Sequence, residues 1–507
     1  MLLKQQLLFI GIFFLALSYS TAQIKVVEEK KIEHNGAVSA SITPDKKIIT
    51  YSIVSEKGSD DKIEIVSYDE HFKEEGRFET KCAEKCIYKT NALSGSGDYY
   101  FSLVIDKGKK IHSIVFNTEI YEGIELHVDL ENKFEPNGNL DVLGGLSTVC
   151  FKNKFFILGT VKKVPCILVY NMLTGTQHLT FIPDMNRKMR VSFLSTDESA
   201  PSLQLMFYNY KSKKVDVQYV ASINEFGEME GNACPIVAAK GRLLIDGNVT
   251  WINEHSYLLC GVSGSNSSIA QGMYIIEMKD GQLLHRNDYD FNDFKDFYST
   301  LNAKTQKKIE RKKGRKKNFE SQCYMVTHPV VFNENTWTVL GEVFYPTYRT
   351  EYRTSYMNGR PVTQTVYVFD GFAYSHAVVL QVSPELEKIR DYAFNLDIFD
   401  KPYYPKKFVR ITQVESKLNF YYASSNRFGH ASLENGGIIE SETLSIMNKE
   451  EDLKESEKLI SLSSSSVSYW YENYYLITES FRVKDKDSSV GNKKKEYVQF
   501  KKILIQQ

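Results

Sequence analysis

The chain has 507 residues, and its 63 Lys plus Arg are matched by 63 Asp plus Glu, so no net field draws it to nucleic acid or to an anionic surface. It is 42% hydrophobic and 13% aromatic, with 32 Tyr and 30 Phe but only 12 Pro, which excludes a disordered or collagen-like chain and suits half-buried strands. Its seven cysteines are irregularly spaced, which excludes a dense disulfide scaffold.

At the start of the chain, Lys4 precedes an apolar run from Leu7 to Leu17 and then Ser20-Thr21-Ala22. This is the pattern of a secretory signal peptide, residues 1–22, with Gln23 as the mature N-terminus and a secreted or periplasmic location. The run is shorter than the roughly 20 residues that span a bilayer, and no comparable run follows, so no transmembrane segment is expected after cleavage. An oxidising compartment allows a local bridge between Cys82 and Cys86. Cys150, Cys166 and Cys260 lie among apolar neighbours and read as buried small hydrophobes.

From there the chain repeats itself. Phe155-Phe156-Ile157-Leu158-Gly159, Tyr257-Leu258-Leu259-Cys260-Gly261 and Trp337-Thr338-Val339-Leu340-Gly341 share one apolar strand phrase. Apolar strands anchored at Tyr51, Ser102, Gly159, Phe207, Gly261, Gly341, Ala423 and Thr478 recur about every 50 residues, with two longer intervals of about 80. Partner strands follow, such as Ile167-Leu168-Val169-Tyr170 and Tyr274-Ile275-Ile276-Glu277, and end in turn residues at Thr174-Gly175, Asp280-Gly281 and Ser383-Pro384. A unit of this size cannot bury its own apolar face and must stack on its neighbours. The expectation is an all-β fold, a β-propeller of about eight (alternatively seven) four-stranded blades over 23–507, with Ile24–Ile32 and Glu496–Ile505 available to complete a shared blade. Two packed β-domains split near Asp184–Arg190 are the competing arrangement. The mature chain resembles secreted β-propeller proteins of the WD40 or kelch kind in architecture only, since neither a Trp-Asp signature nor a kelch Gly-Gly pattern recurs.

Two insertions stretch the long intervals. In 291–319, Phe291, Phe294, Phe297, Tyr298, Leu301 and Ile309 fit one helical face, and Lys304, Lys307, Lys308, Arg311, Lys312 and Arg315 make a basic patch that ends near Gly314. The second, 344–372, reads as a protruding β-hairpin around Asn358-Gly359, a type I′ signal. Alternation then puts Tyr348, Tyr352, Tyr356, Tyr367 and Phe369 on one face, and Arg349, Arg353 and Arg360 on the other. Rigid aromatics beside arginines are the composition of recognition surfaces, so these residues are the binding candidates.

The ten histidines show no metal spacing, and no P-loop, G-x-G-x-x-G or complete G-x-S-x-G is present. Asp485, Asp487, Ser489 and Glu496 imitate a calcium loop, but Val490 stands where the turn needs Gly, and the stretch reads as a polar hairpin loop. Glu342 follows Gly341 where the other copies carry Thr160 and Val262, so it is expected either to face the central channel or to pair with Arg349 or Arg353. No catalytic residue, metal or cofactor is assigned. The expectation is an exported binding or scaffold protein that recognises a protein or polysaccharide of the envelope, not nucleic acid. Its alternatives are a carbohydrate-active propeller enzyme with channel-facing carboxylates and a structural member of an envelope assembly.

Overall fold

The computed structural model describes residues 23–506, apart from 35–37, 55–59, 83–86, 95, 106–110, 128–133, 137–147, 195–199, 210–216, 238, 240, 267–268, 302, 316–322, 358–359, 397, 399, 425–426, 435–436, 441–443, 446–456 and 486–493. The expected signal segment, Cys86, the Asn358-Gly359 turn and most of the calcium-like loop lie outside the described residues.

Among the described residues the strands form eight antiparallel sheets, four of four strands and four of five, each with a path of four. Every expected anchor lies on the second strand of a different sheet: Ile48–Val54, Tyr99–Ile105, Lys154–Val161, Leu203–Asn209, Ser256–Gly264, Thr336–Met357, Lys417–Ser424 and Tyr474–Asp485. In the first seven sheets the chain runs through four consecutive strands, and neighbours reverse through tight turns. Several of these turns hold two successive residues in the left-handed region: Asp280 and Gly281, but also Lys152 and Asn153, Lys162 and Lys163, and Glu334 and Asn335. Such pairs give the type I′ geometry that matches strand twist.

Aromatic and aliphatic side chains from the faces of the sheets join each sheet to the next. Tyr51 meets Tyr100, Phe101 stacks on Phe155 with centroids 3.9 Å apart, and Phe156 meets Phe193. Met206 and Val220 pack with Leu259 and Ile276, and Met273 and Ile275 with Val339 and Val378. Phe394 meets Phe420, and Tyr421 meets Tyr475. Phe72 and Tyr68 then pack with Trp470 and Phe500, which returns the eighth sheet to the first and closes the ring. This radial packing is a β-propeller. One cluster holds Ile182 and Val191, with Met185 and Met189 against it, so apolar packing runs through 184–190 rather than parting there.

The eighth sheet is shared between the two ends of the described chain. Its order is Gln23–His34, Lys494–Gln506, Tyr474–Asp485, Glu457–Tyr471. The first and last of these segments in sequence pair antiparallel from Gln23 with Gln506 to His34 with Glu496.

The repeated glycine has a specific cause. In the third, fifth and sixth sheets the first strand is broken into two pieces: Phe134–Pro136 and Thr148–Phe151, Leu243–Leu244 and Asn248–Asn253, Tyr324–Thr327 and Val331–Asn333. The glycine of the second strand sits at the break: Gly159 faces Pro136 and Gly341 faces Thr327, each the last residue of the first piece, and Gly261 falls between the two pieces. A Cβ on Gly159 would meet the Phe134 ring at 2.4 Å, on Gly261 the Asp246 carbonyl oxygen at 2.3 Å, and on Gly341 the Met325 sulfur at 2.4 Å. The phrase therefore marks where the first strand approaches the second too closely for a side chain.

The connection from the fifth to the sixth sheet corrects one expectation. Phe291–Asp293 is a single 3-10 turn capped by the Asp290 carboxylate, and the α-helix covers only Ala303–Arg315. Phe291, Phe294 and Phe297 are buried in the core between these two sheets, stacked or edge-on to one another. Core burial of three rings in a compact turn competes with a continuous helical face and wins, since each buried ring contributes roughly 1.5–3 kcal/mol.

Gly261→Ala is expected to destabilise the fold by roughly 2–4 kcal/mol, because the methyl group meets a backbone carbonyl that cannot move without breaking the inner strand. Gly437→Ala, with nothing within 4 Å of its Cβ, is the control. Urea denaturation of both variants decides it: equal midpoints refute the packing account.

Candidate functional site

The second and third strands of the sixth sheet, Thr336–Met357 and Arg360–Val382, are far longer than their neighbours. The flanking strands stop at Phe344 and His376, so beyond them the two run on as a free ribbon. Pairing continues from Tyr348 with Phe369, through Tyr352 with Thr365, to Met357 with Arg360, which is the expected register. At about 3.3 Å per residue, the ribbon reaches roughly 30 Å from the sheet.

Isolated two-stranded ribbons are marginal in water, so this one needs support at its base. The connector to the seventh sheet supplies it. The Phe372 N–H donates to the Pro402 carbonyl (2.9 Å), Lys401 reaches Asp370 at 3.0 Å, and Phe369 lies edge-on to Tyr403. Gly371 adopts φ +92° here, and a side chain would meet the Lys401 carbonyl at 2.3 Å. Higher up, Glu351 accepts from Arg349 (2.9 Å) and Arg353 (3.3 Å), which holds both arginines along one face.

The opposite face is aromatic and open. Tyr348, Tyr352 and Tyr367 are 60%, 74% and 72% exposed, whereas Phe369 is tucked against Tyr348, Phe372 and Tyr403 at the base. Tyr345, Tyr403 and Tyr404 are exposed too, with Tyr403 against Phe369. The sequence reading missed these three because Tyr403 and Tyr404 belong to a connector with no periodic pattern. The side chains of Tyr356 and Arg360 lie outside the described residues.

Lys304, Lys307, Lys308 and Arg311 are exposed, while Gln306 ties the basic helix down by donating to the carbonyls of Ser299 and Leu301. The side chains of Lys312 and Arg315 lie outside the described residues.

Glu342 corrects a second expectation. It is fully buried and pairs with neither Arg349 nor Arg353. The backbone explains this: one residue beyond Gly341, it points under the connector of the seventh sheet, where it accepts from His328 Nε2 (2.7 Å) and from the N–H groups of Phe408 (3.0 Å) and Val409 (2.9 Å). With three donors on a buried carboxylate, Glu342 is a tie between sheets rather than an acid presented to a ligand.

Around it runs an inner-rim network that no motif announced. Asp246, in the break of the fifth sheet's first strand, accepts from the Val262 N–H (2.8 Å) and from Thr327 Oγ1 (3.0 Å), and its carbonyl accepts from Tyr274 OH. Asn248 donates to the Thr327 carbonyl (3.1 Å) and accepts from Lys407 Nζ (2.7 Å). Burial raises the Asp246 pKa, against the Val262 hydrogen bond and the Lys407 charge. Desolvation lowers the pKa of Lys407, against the attraction of Asp246. The His328 pKa is also lowered by burial, although Glu342 opposes the shift.

The buried thiols are core components. Burial pushes the thiols of Cys166 and Cys260 up to about 11 and about 12, which keeps them unreactive. Among the described residues no three His, Cys, Asp or Glu side chains gather to hold a metal ion, and no helix is long and apolar enough to cross a membrane.

No family model matches the chain, and neither does any curated protein. Among solved structures, it is similar to the WD40 domain of SCAP from fission yeast at 8% identity and a TM-score of 0.39, covering 95% of this chain and 98% of that one. It is similar to the β-propeller domain of the Trilobed protease from Pyrococcus furiosus at 8% identity and a TM-score of 0.31, covering 80% and 98%. A prolyl endopeptidase is similar at 9% identity and a TM-score of 0.38, and there the chain spans only 55% of the other's length. Likenesses this distant carry no functional argument.

Two outcomes follow from the buried groups. Glu342→Gln turns an amide N–H₂ toward groups that are already donors, so a loss of roughly 2–4 kcal/mol is expected in chemical denaturation. An unchanged midpoint refutes the tie. Desolvation also lowers the pKa values of His376 and His430 from 6.5 to about 4. The unfolded chain takes up these protons below pH 6.5 and the folded chain only near pH 4, so stability present above 6.5 is lost as pH falls through that window, by up to roughly 3 kcal/mol per histidine. Urea midpoints at pH 7.5 and 4.5 should differ less in a His376→Gln, His430→Gln double variant than in the parent; an equal drop refutes the assignment.

Proposed function

We propose that this chain is an exported eight-bladed β-propeller that works by binding, and that the ribbon 344–372 captures a protein or polysaccharide of the envelope on its tyrosine face. One observation carries the proposal: three tyrosines stand 60–74% exposed on one face of a ribbon that leaves the sheet altogether. A free ribbon is stabilised by covering its rings, yet here they are held away from the body, with only Phe369 packed at the base. Contiguous exposed apolar surface of this kind is characteristic of interaction sites. Each ring covered by a partner contributes roughly 1.5–3 kcal/mol, and the row of threonines between them offers hydroxyls for directed hydrogen bonds. The arginines behind, fixed by Glu351, add orientation at the ribbon's other face.

The burial of Glu342 favours binding over hydrolysis by a channel-facing acid, because none of its surface is open to a substrate. Export rests on the N-terminal sequence pattern, and a mature N-terminus at Gln23 is expected by mass spectrometry of the secreted or periplasmic fraction.

The test replaces Tyr348, Tyr352 and Tyr367 together with Ser. Pull-down from the native envelope fraction should lose its captured partner at least about tenfold, with the thermal unfolding of the propeller unchanged. Equal capture by the triple variant sinks the proposal.

A further inference from the structure

Between the seventh and eighth sheets lies a cavity of about 340 Å³ that shares no lining residue with the ribbon, the basic helix or the inner-rim network. Its size is at the small end of ligand sites. The register between Glu457–Tyr471 and Tyr474–Asp485 shifts between Tyr469 and Tyr471, which makes Trp470 the extra residue of a bulge. The neighbouring rings part there: Trp470 packs on Phe72 of the first sheet, while Tyr469 meets Tyr475, which in turn meets Tyr421 of the seventh. Bulges re-aim side chains in this way. The turn that follows holds Glu472 at φ +48°, and the Ile505 N–H pins it by donating to the Asn473 carbonyl (3.0 Å).

The lining combines rings with uncommitted polar groups. Tyr475 is buried, its hydroxyl 3.3 Å from Thr412 Oγ1, whereas Tyr469 meets it edge-on and keeps 48% of its surface exposed. Gln413, Glu472 and Asn473 are exposed members of the same lining. The Gln413 amide nitrogen donates to Asn333 Oδ1 (3.2 Å) and to the Glu415 carbonyl (3.3 Å), which fixes the side chain and leaves its oxygen as an acceptor. No hydrogen bond among the described residues engages the Glu472 carboxylate or the Asn473 amide. Nor does any described Lys or Arg line the cavity.

We propose that this cavity is a subsite for one neutral sugar ring of a glycan, stacked on Tyr469 and hydrogen-bonded by Gln413, Glu472 and Asn473. A pyranose has an apolar C–H face for the open tyrosine ring, and hydroxyls that donate to Glu472 and Gln413 and accept from Asn473. Hydroxyls bond a carboxylate more strongly than a neutral acceptor. An acidic sugar or a phosphate meets Glu472 with no cation in the lining to offset the repulsion. Because the Gln413 amide is already held, little of its freedom is lost on binding. The turn at Glu472 precedes the second strand of its sheet, whereas the ribbon follows the second strand of the sixth, so subsite and ribbon face opposite ends of the ring. The subsite does not depend on the ribbon's role.

Saturation-transfer NMR on the whole chain tests this, with the methyl glycosides of glucose, galactose, mannose and N-acetylglucosamine as probes and glucuronate and Nα-acetyl-lysine amide as charged rivals. At least one neutral glycoside should bind. Its affinity should fall at least about tenfold in Tyr469→Ala and be retained in Tyr469→Phe, which keeps the ring. A measurement on the unaltered chain guards against misfolded variants: the bound glycoside should shield Tyr469 from nitration by tetranitromethane, read by peptide mass spectrometry. Binding of none of the four glycosides, equal affinity in Tyr469→Ala, or shielding of Tyr348, Tyr352 and Tyr367 without Tyr469 overturns the subsite. Tighter binding of glucuronate or of the lysine amide overturns its assignment to neutral sugars.

Discussion

Everything in this molecule hangs on the pairing of Gln23–His34 with Lys494–Gln506. Seven of the sheets are local meanders that a short stretch of chain builds by itself, but none can bury both faces alone. Burial is completed only when the eighth sheet, assembled from both ends, fills the last gap and brings Trp470 and Phe500 against Phe72. The eight interfaces then support one another around the circle. Where a first strand is broken, its two pieces pair with the second strand in different registers, and the glycine there leaves room for the close approach.

On that frame, polar groups fall into two kinds that must be kept apart when a function is sought. Asp246, Glu342 and His328 are buried and saturated with partners, so their chemistry is spent on joining sheets five, six and seven. Tyr348, Tyr352 and Tyr367 are instead mostly exposed. Satisfaction, more than residue type, separates the groups that hold the ring from those free to meet something else.

Much of this was legible in the chain because strand repeats write themselves in short-range patterns. Each of the eight apolar anchors lies on a strand of a different sheet, and the pairing expected from Asn358-Gly359, Tyr352 with Thr365, is the one observed. The mistakes have physical reasons. Aromatics three apart at Phe291, Phe294 and Phe297 suit a helix, but a compact turn buries the same rings. The inner rim was invisible altogether, because Asn248 and Lys407 meet across 159 positions through ring geometry that no local window contains. Glu342 was noticed as an oddity after its glycine, yet its partners at Phe408 and Val409 come from the next sheet.

The shared eighth sheet also sets an order of events. Gln499 reaches Glu29 over 470 positions, a contact that local folding cannot make early. The first strand to emerge from a ribosome or a translocation pore must wait, unpaired and with its edge open, until the last has followed. The loop entropy of that wait grows only with the logarithm of chain length, roughly 0.6 kcal/mol per doubling, so distance is a modest thermodynamic burden and a large kinetic one. A chaperone that shields residues 23–34 during that interval would meet a strand whose partner has yet to arrive.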